Sequence, residues 1–142
     1  MAIFNSYLNF NGTTEEAFRF YQSVIGGEIL TLERFSDTPE AHRLRPEDRE
    51  KIMHISLSLG NGNILMGTDA LESMGHPLKV GNNFYLSIHG ENREESDRLF
   101  NGLSAGGTVA VPLGHASWGA YFGMFTDKFG IQWMVHCEEA GV

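Results

Sequence analysis

The sequence predicts an α+β chain of two βαβββ modules forming a pseudo-two-fold mixed sheet around a cleft, and three recurrences predict it. Asn5-Ser6-Tyr7-Leu8-Asn9-Phe10-Asn11-Gly12 returns as Asn83-Phe84-Tyr85-Leu86-Ser87-Ile88-His89-Gly90, 78 positions later (83 − 5). A helical pattern follows each copy, Glu15-Glu16-Ala17-Phe18-Arg19-Phe20-Tyr21 and Glu94-Glu95-Ser96-Asp97-Arg98-Leu99-Phe100. A glycine pair then closes each helix, Gly26-Gly27 and Gly106-Gly107. Strand, helix and turn recurring in one order mark a duplicated unit.

Each element has a local reason. Residues 3–10 alternate Phe4, Leu8 and Phe10 with Asn5, Tyr7 and Asn9, as a half-buried strand does. Thr13 or Thr14 is the expected N-cap of the next helix, with Glu15 and Glu16 in its first turn. Ala17, Phe18, Tyr21, Val24 and Ile25 form its apolar stripe, and Gly26-Gly27 stops it. Residues 28–35 are expected as the second strand. Met53, Ile55, Leu57 and Leu59 alternate with His54, Ser56 and Ser58 in the third, and Gly60-Asn61-Gly62-Asn63 turns into a fourth at 64–69. The second module repeats the plan: strand 83–89, helix 93–104, strands 108–114, 119–126 and 131–136, with a turn at Asp127-Lys128-Phe129-Gly130. The modules are thus expected at 1–70 and 82–137 of one 142-residue domain, joined by a linker at 71–81. The polar stretch from Ser36 to Lys51 reads as a solvated loop or short surface helix, with a flap over the cleft as the less favoured reading.

Composition narrows the function classes. A chain of 142 residues can bury a real core, whereas either half alone would be marginal. Hydrophobic content of 42% and charged content of 20% exclude a disordered chain. A net charge of −8 argues against nucleic acid or an anionic membrane as partner. The lone Cys137 cannot form an internal disulfide, and no apolar run approaches a membrane span. With no basic leader or cleavage signal at Met1-Ala2-Ile3-Phe4-Asn5, the expected location is cytoplasmic.

Strand parity separates helix-facing from cleft-facing side chains. Phe4, Leu8 and Phe10, and likewise Phe84, Leu86 and Ile88, should pack on the helices. Asn5, Tyr7 and Asn9, with Asn83, Tyr85, Ser87 and His89, should face the cleft. His54, Ser56 and Ser58 in the third strand and Gln132, Met134 and His136 in the last are the other inward sets.

On these motifs the chain resembles the vicinal oxygen chelate superfamily, which includes glyoxalase I, bleomycin-resistance proteins and extradiol dioxygenases. Tyr7-Leu8-Asn9-Phe10-Asn11-Gly12, Glu16-Ala17-Phe18-x-Phe20-Tyr21 and Asp127-Lys128-Phe129-Gly130-Ile131-Gln132-Trp133-Met134 are similar to its PhnB-like branch, and the similarity runs along the whole chain. The resemblance implies the glyoxalase/bleomycin-resistance fold. It implies metal ligands, where members use metal, on the first and last strands of each module. Carried onto this chain, those positions are Asn5, Met66, Asn83 and Met134. Amides and thioethers are poor ligands for Mg²⁺, Mn²⁺, Fe²⁺, Ni²⁺ or Zn²⁺, so no metal is expected at the family site. Some members of the branch carry a demethylubiquinone methyltransferase-like label. No Gly-rich nucleotide loop follows a strand here to hold a methyl donor.

The remaining chemistry is sparse. Among His42, His54, His76, His89, His115 and His136 there is no His-x-His pair or metal-binding helical spacing. His54 and His89 fall on inward parity among small polar neighbours, where an imidazole can act as a general base. A hydrogen-bonded cleft wall is the plainer role for both. Trp118 is balanced between pocket lining and core. Glu33 and Asp69 suit exposed strand ends, and Cys137 beside Glu138 and Glu139 is a poor nucleophile.

The ligand-binding set expected in the cleft is therefore Asn5, Tyr7, His54, Met66, Asn83, Tyr85, His89, Trp118 and Met134, with no catalytic residue and no cofactor named. Metal-free binding of a small molecule is the favoured function. The alternative is a divalent-metal-dependent lyase, isomerase or dioxygenase. A homodimer is expected, because exposed sheet edges invite pairing.

Overall fold

A computed structural model describes residues 1–138 of the chain. Two compact units are present, Met1–Lys79 and a second beginning at Val80. Each is a four-stranded mixed sheet with one long helix on one face, so the fold class is α+β.

In the first unit, β1 (Ser6–Phe10) leads into α1 (Thr14–Ile25), followed by β2 (Glu28–Arg34), β3 (Ile52–Gly60) and β4 (Asn63–Asp69). The spatial order is β1-β4-β3-β2, with β1 parallel to β4 and the other pairs antiparallel. Alternation on β1 buries Leu8 and Phe10 beneath α1, where Phe18 meets Phe10 edge-on at 6.4 Å and Tyr21 at 5.8 Å. Ile55, Leu57 and Leu65 complete that layer from β3 and β4. A register shift between Glu33 and Arg34, opposite His54 and Ile52, turns Ile52 inward as well. Met53 is left half-buried at the irregularity.

The segment after β2 is ordered rather than a plain loop. It forms two short turns of 3₁₀ helix at Phe35–Asp37 and Ala41–Arg43, then α2 (Pro46–Arg49). Asp48, 1% exposed, holds it down. Its carboxylate accepts hydrogen bonds from Lys51 Nζ at 2.9 Å, Ser73 Oγ at 2.7 Å and Arg45 Nε at 3.2 Å. Ser73 belongs to the stretch after β4, so one buried acid ties the insertion to the end of its own unit. The hydrogen bonds from Lys51 and then Ser73 hold the Asp48 carboxyl well below the usual carboxylate range, against the opposing effect of burial.

The second unit comprises β5 (Leu86–His89), α3 (Arg93–Ser104), β6 (Thr108–His115), β7 (Ala120–Thr126) and β8 (Gln132–Glu138) in the order β5-β8-β7-β6. Leu99, Phe100 and Leu103 of α3 meet Phe125, Trp133, Val135 and Cys137 of the sheet. Phe100 and Phe125 pack edge-on at 5.0 Å. Asp127 organises the β7–β8 turn: its Oδ1 accepts from Phe129 N and Ile131 N, and its Oδ2 from Trp133 Nε1 at 2.8 Å.

Four expectations are corrected. The opening strands are shorter than alternation suggests, since β1 begins at Ser6 and β5 at Leu86. Phe4 is therefore 98% exposed and Phe84 60% exposed, neither packing on its helix. Residue lettering also misplaces the repeat by two. Tyr7 pairs with Met66 and Ser87 with Met134, while Ser56 and Met124 flank those methionines alike. Tyr7 thus corresponds to Ser87, an offset of 80 (87 − 7), because hydrogen-bond register rather than letter identity sets equivalence. Finally, Asp69 is buried rather than exposed. Its Oδ1 accepts from Gly12 N at 2.9 Å, Thr14 N at 3.1 Å and Thr14 Oγ1 at 2.7 Å, and its Oδ2 accepts from Ile52 N at 2.8 Å. Thr13 occupies the N-cap without a side-chain bond, so a strand residue satisfies the helix start instead.

Candidate functional site

In each unit the sheet face opposite the long helix carries the candidate residues. On the first, β1 supplies Tyr7 and Asn9, β4 supplies Met66 and Thr68, and β3 supplies His54, Ser56 and Ser58. The pairing Tyr7–Met66–Ser56–Thr31 makes one row straight across the sheet. Tyr7 is 47% exposed and its ring lies 5.8 Å from that of half-buried His54. Thr68 Oγ1 donates to Met53 O at 2.7 Å, which fixes the strand end beside His54. Asn5 precedes β1 and is exposed, outside the β1–β4 ladder that Met66 belongs to.

The matching row of the second unit is Ser87–Met134–Met124–Val111. One step along the strands, His89 pairs with His136, and His136 with Phe122. The two imidazoles stack with centroids 4.8 Å apart and planes 7° from parallel. His136 Nε2 lies 2.9 Å from Ser87 Oγ. Burial, and then the neighbouring His89, push the His136 imidazole below the ordinary histidine pKa, which favours its neutral form. Trp118, 65% exposed in the β6–β7 turn, leans on Phe122 with ring centroids 5.4 Å apart. Tyr85 is half-buried immediately before β5, and Asn83 is exposed two residues earlier. Gln132 Nε2 donates to Phe84 O, which holds this lead-in segment against β8.

The structure thus groups Tyr7, His54 and Met66 on one face, and His89, Met134 and Trp118 on another. Asn5 and Asn83 stand off the ladders. His136 and Phe122 belong with the second group. Parity placed His136 on the correct face, but only the parallel β5–β8 pairing sets it against His89, 47 residues away (136 − 89). Cys137 is fully buried, which removes it from surface chemistry.

The donor set at the family's metal positions does not fit a hard or borderline divalent ion. The thioethers of Met66 and Met134 face Tyr7 and Ser87 across their ladders, and no carboxylate shares either row. Among the described residues, no group of three or more His, Cys, Asp or Glu could hold a metal ion. The chemistry these faces offer is hydrogen bonding by neutral groups, thioether contact and ring stacking.

Comparison with known proteins agrees with this architecture. The chain is 30% identical to the protein YjdN of Escherichia coli (strain K12) over 138 residues, covering 92% of this chain and 91% of that protein. The crystal structure of protein PA1353 from Pseudomonas aeruginosa matches with a TM-score of 0.86 at 37% identity, over 97% of this chain and 98% of that one. A Bacillus cereus PhnB protein, described as a putative 3-demethylubiquinone-9 3-methyltransferase, matches with a TM-score of 0.77 at 28% identity, over 96% of this chain and 99% of that one. More distant glyoxalase-related and glyoxalase/bleomycin resistance/dioxygenase structures share the fold alone. A family model described as 3-demethylubiquinone-9 3-methyltransferase matches residues 3–136, and the chain belongs to that family.

Proposed function

We propose that this protein binds a small organic molecule on the open sheet faces without the help of a divalent metal. One observation carries the reading. At equivalent register positions, both sheets present a thioether flanked by neutral side chains, Tyr7–Met66–Ser56 and Ser87–Met134–Met124. Such rows suit an uncharged or weakly polar ligand and lack the anionic oxygens that would grip Mg²⁺ or Mn²⁺. The family's description suggests methyl transfer. Against it stands the absence, among the described residues, of a Gly-rich strand-to-helix turn to cradle a nucleotide-like donor.

Calorimetric titration of the chelator-treated protein with Ni²⁺, Mn²⁺, Fe²⁺ and Zn²⁺ tests the reading. Weak or absent heats are expected. Stoichiometric, tight uptake that is lost on replacing Met66 and Met134 would establish the metal-dependent lyase, isomerase or dioxygenase alternative instead. We propose also that the chain is a homodimer, since Ile3, Phe4, Val80 and Phe84 are large apolar side chains left mostly exposed. A clean 15.8 kDa species in gel filtration at micromolar concentration would remove that idea. Among the described residues no helix is long and apolar enough to cross a membrane. A cytoplasmic location remains part of this proposal.

A further inference from the structure

We propose that the ring row His89–His136–Phe122–Trp118 is a stacking platform for an uncharged, planar aromatic molecule bearing a hydrogen-bonding oxygen. The proposal deepens the small-molecule reading above and rests on it.

The platform is built by register. Three adjacent strands, β5, β8 and β7, place His89, His136 and Phe122 side by side. The neighbours of Phe122 along β7, Tyr121 and Gly123, are buried on the helix side, so Phe122 belongs to the open face. The β6–β7 turn then returns Trp118 onto Phe122 at 5.4 Å with planes 43° apart. Two stacked imidazoles, a phenyl ring and an indole thus share one line across the sheet.

This arrangement is not explained by folding. The core of the unit lies on the other face, under α3. An indole 65% exposed on a turn leaves a large apolar surface in water, and stacked imidazoles at a sheet edge gain little by themselves. A planar guest seated on the row would cover the indole and lie against the edges of the stacked imidazoles.

The chemistry around the row selects the guest. Open-face positions on β5, β7 and β8 include no Lys or Arg, and Glu138 at the end of β8 opposes an anion. Burial and the adjacent ring favour the neutral form of His136, which then offers a dipole rather than a charge. Met134 and Met124 flank the row with thioethers, which contact aromatic edges favourably. Ser87 and the two imidazoles supply the hydrogen-bonding partners for an oxygen substituent. A saturated guest of equal size would bury similar area and forgo the ring contacts.

The test uses the full chain, metal-free, at pH 7, with 2-naphthol as probe and decahydro-2-naphthol as its saturated counterpart. Affinity is read by calorimetry, and location by the histidine ring signals in NMR. The expected result is that 2-naphthol moves the His89 and His136 signals and binds at least tenfold tighter than the saturated alcohol. Phe122→Leu and Trp118→Leu should each weaken 2-naphthol by roughly 3- to 10-fold. Trp118, being exposed, is replaceable without unfolding, so its variant keeps the test decisive if Phe122→Leu is unstable. Equal affinity for the two alcohols, or undiminished affinity in Trp118→Leu, overturns the platform. Shifts confined to His54 overturn it while leaving metal-free binding in place on the first unit. A dimer that dissociates in Trp118→Leu, with no probe binding, overturns it in favour of a second copy covering the row.

Discussion

Replacing Asp69 should destabilise the first unit more than any exposed substitution, because one side chain closes three separate strands of chain. Its two oxygens accept from the backbone of Gly12, Thr14 and Ile52 and from the Thr14 hydroxyl, at 2.7–3.1 Å and within a buried setting. In Asp69→Ala, three backbone N–H groups lose their partner, each at about 1–3 kcal/mol when water cannot replace it. With partial relaxation at Gly12, which is exposed, the expected loss is about 4 kcal/mol. Asp69→Asn keeps the shape, but its amide NH₂ must face either the Ile52 N–H or the Gly12 and Thr14 donors. One donor then opposes another, and the expected loss is about 2 kcal/mol. At roughly 3 °C per kcal/mol for a chain of this size, midpoints fall by about 12 °C and about 6 °C. Thermal unfolding by circular dichroism gives the midpoints, and amide exchange at Ile52 and Thr14 locates the damage. If Asp69→Asn unfolds with the wild type and the Ile52 amide stays equally protected, the capping argument is wrong.

Three further outcomes follow from the same geometry. The Asp48 carboxyl titrates lower in the folded than in the unfolded chain, so its contribution is complete above about pH 4. It is lost as pH falls below that, and Asp48→Asn should flatten acid unfolding while lowering stability at pH 7 by about 3 kcal/mol. Gly27→Ala and Gly107→Ala would bring a Cβ within 2.2 Å of Ser58 O and 2.1 Å of Thr126 O, both backbone atoms. Each should cost more than Gly106→Ala, whose φ of +77° carries only about 1–2 kcal/mol of left-handed strain, and urea midpoints of the three variants check the order. The Tyr121 phenol donates to Asp97 Oδ1 at 2.6 Å, and that bond, with burial, raises its pKa above the ordinary tyrosine value. Asp97→Asn should move the ultraviolet titration of this residue back down, and an unchanged curve would show the bond to be unimportant.

Much of the fold follows from short-range pattern. Alternation at Ile55 and Leu57, the stripe at Ala17, Phe18 and Tyr21, and the helix from Arg93 to Ser104 are each local periodicities that burial then rewards. The same logic fails where the strand ladder stops short of an apolar residue. Phe4 and Phe84 continue the alternation in letters, yet both are exposed because their strands start later. The candidate site divides in the same way. Parity put Tyr7, His54, His89, Met134 and His136 on open faces, but it could not say which of them would meet.

The chain order alone determined two βαβββ modules, each with one long helix, and the neutral character of the side chains available to them. Tertiary structure decided the pairings. His89 meets His136 only through parallel strands, and Asp69 reaches the start of α1 only because β4 lies beside β1. Alpha3, by contrast, is capped from within: Asn92 Oδ1 accepts from Glu95 N, while Glu95 Oε1 accepts from Glu91 N. Two copies of one plan therefore close their helices differently. Local sequence fixes periodicity, whereas the partner of a polar group depends on which strand the register brings alongside.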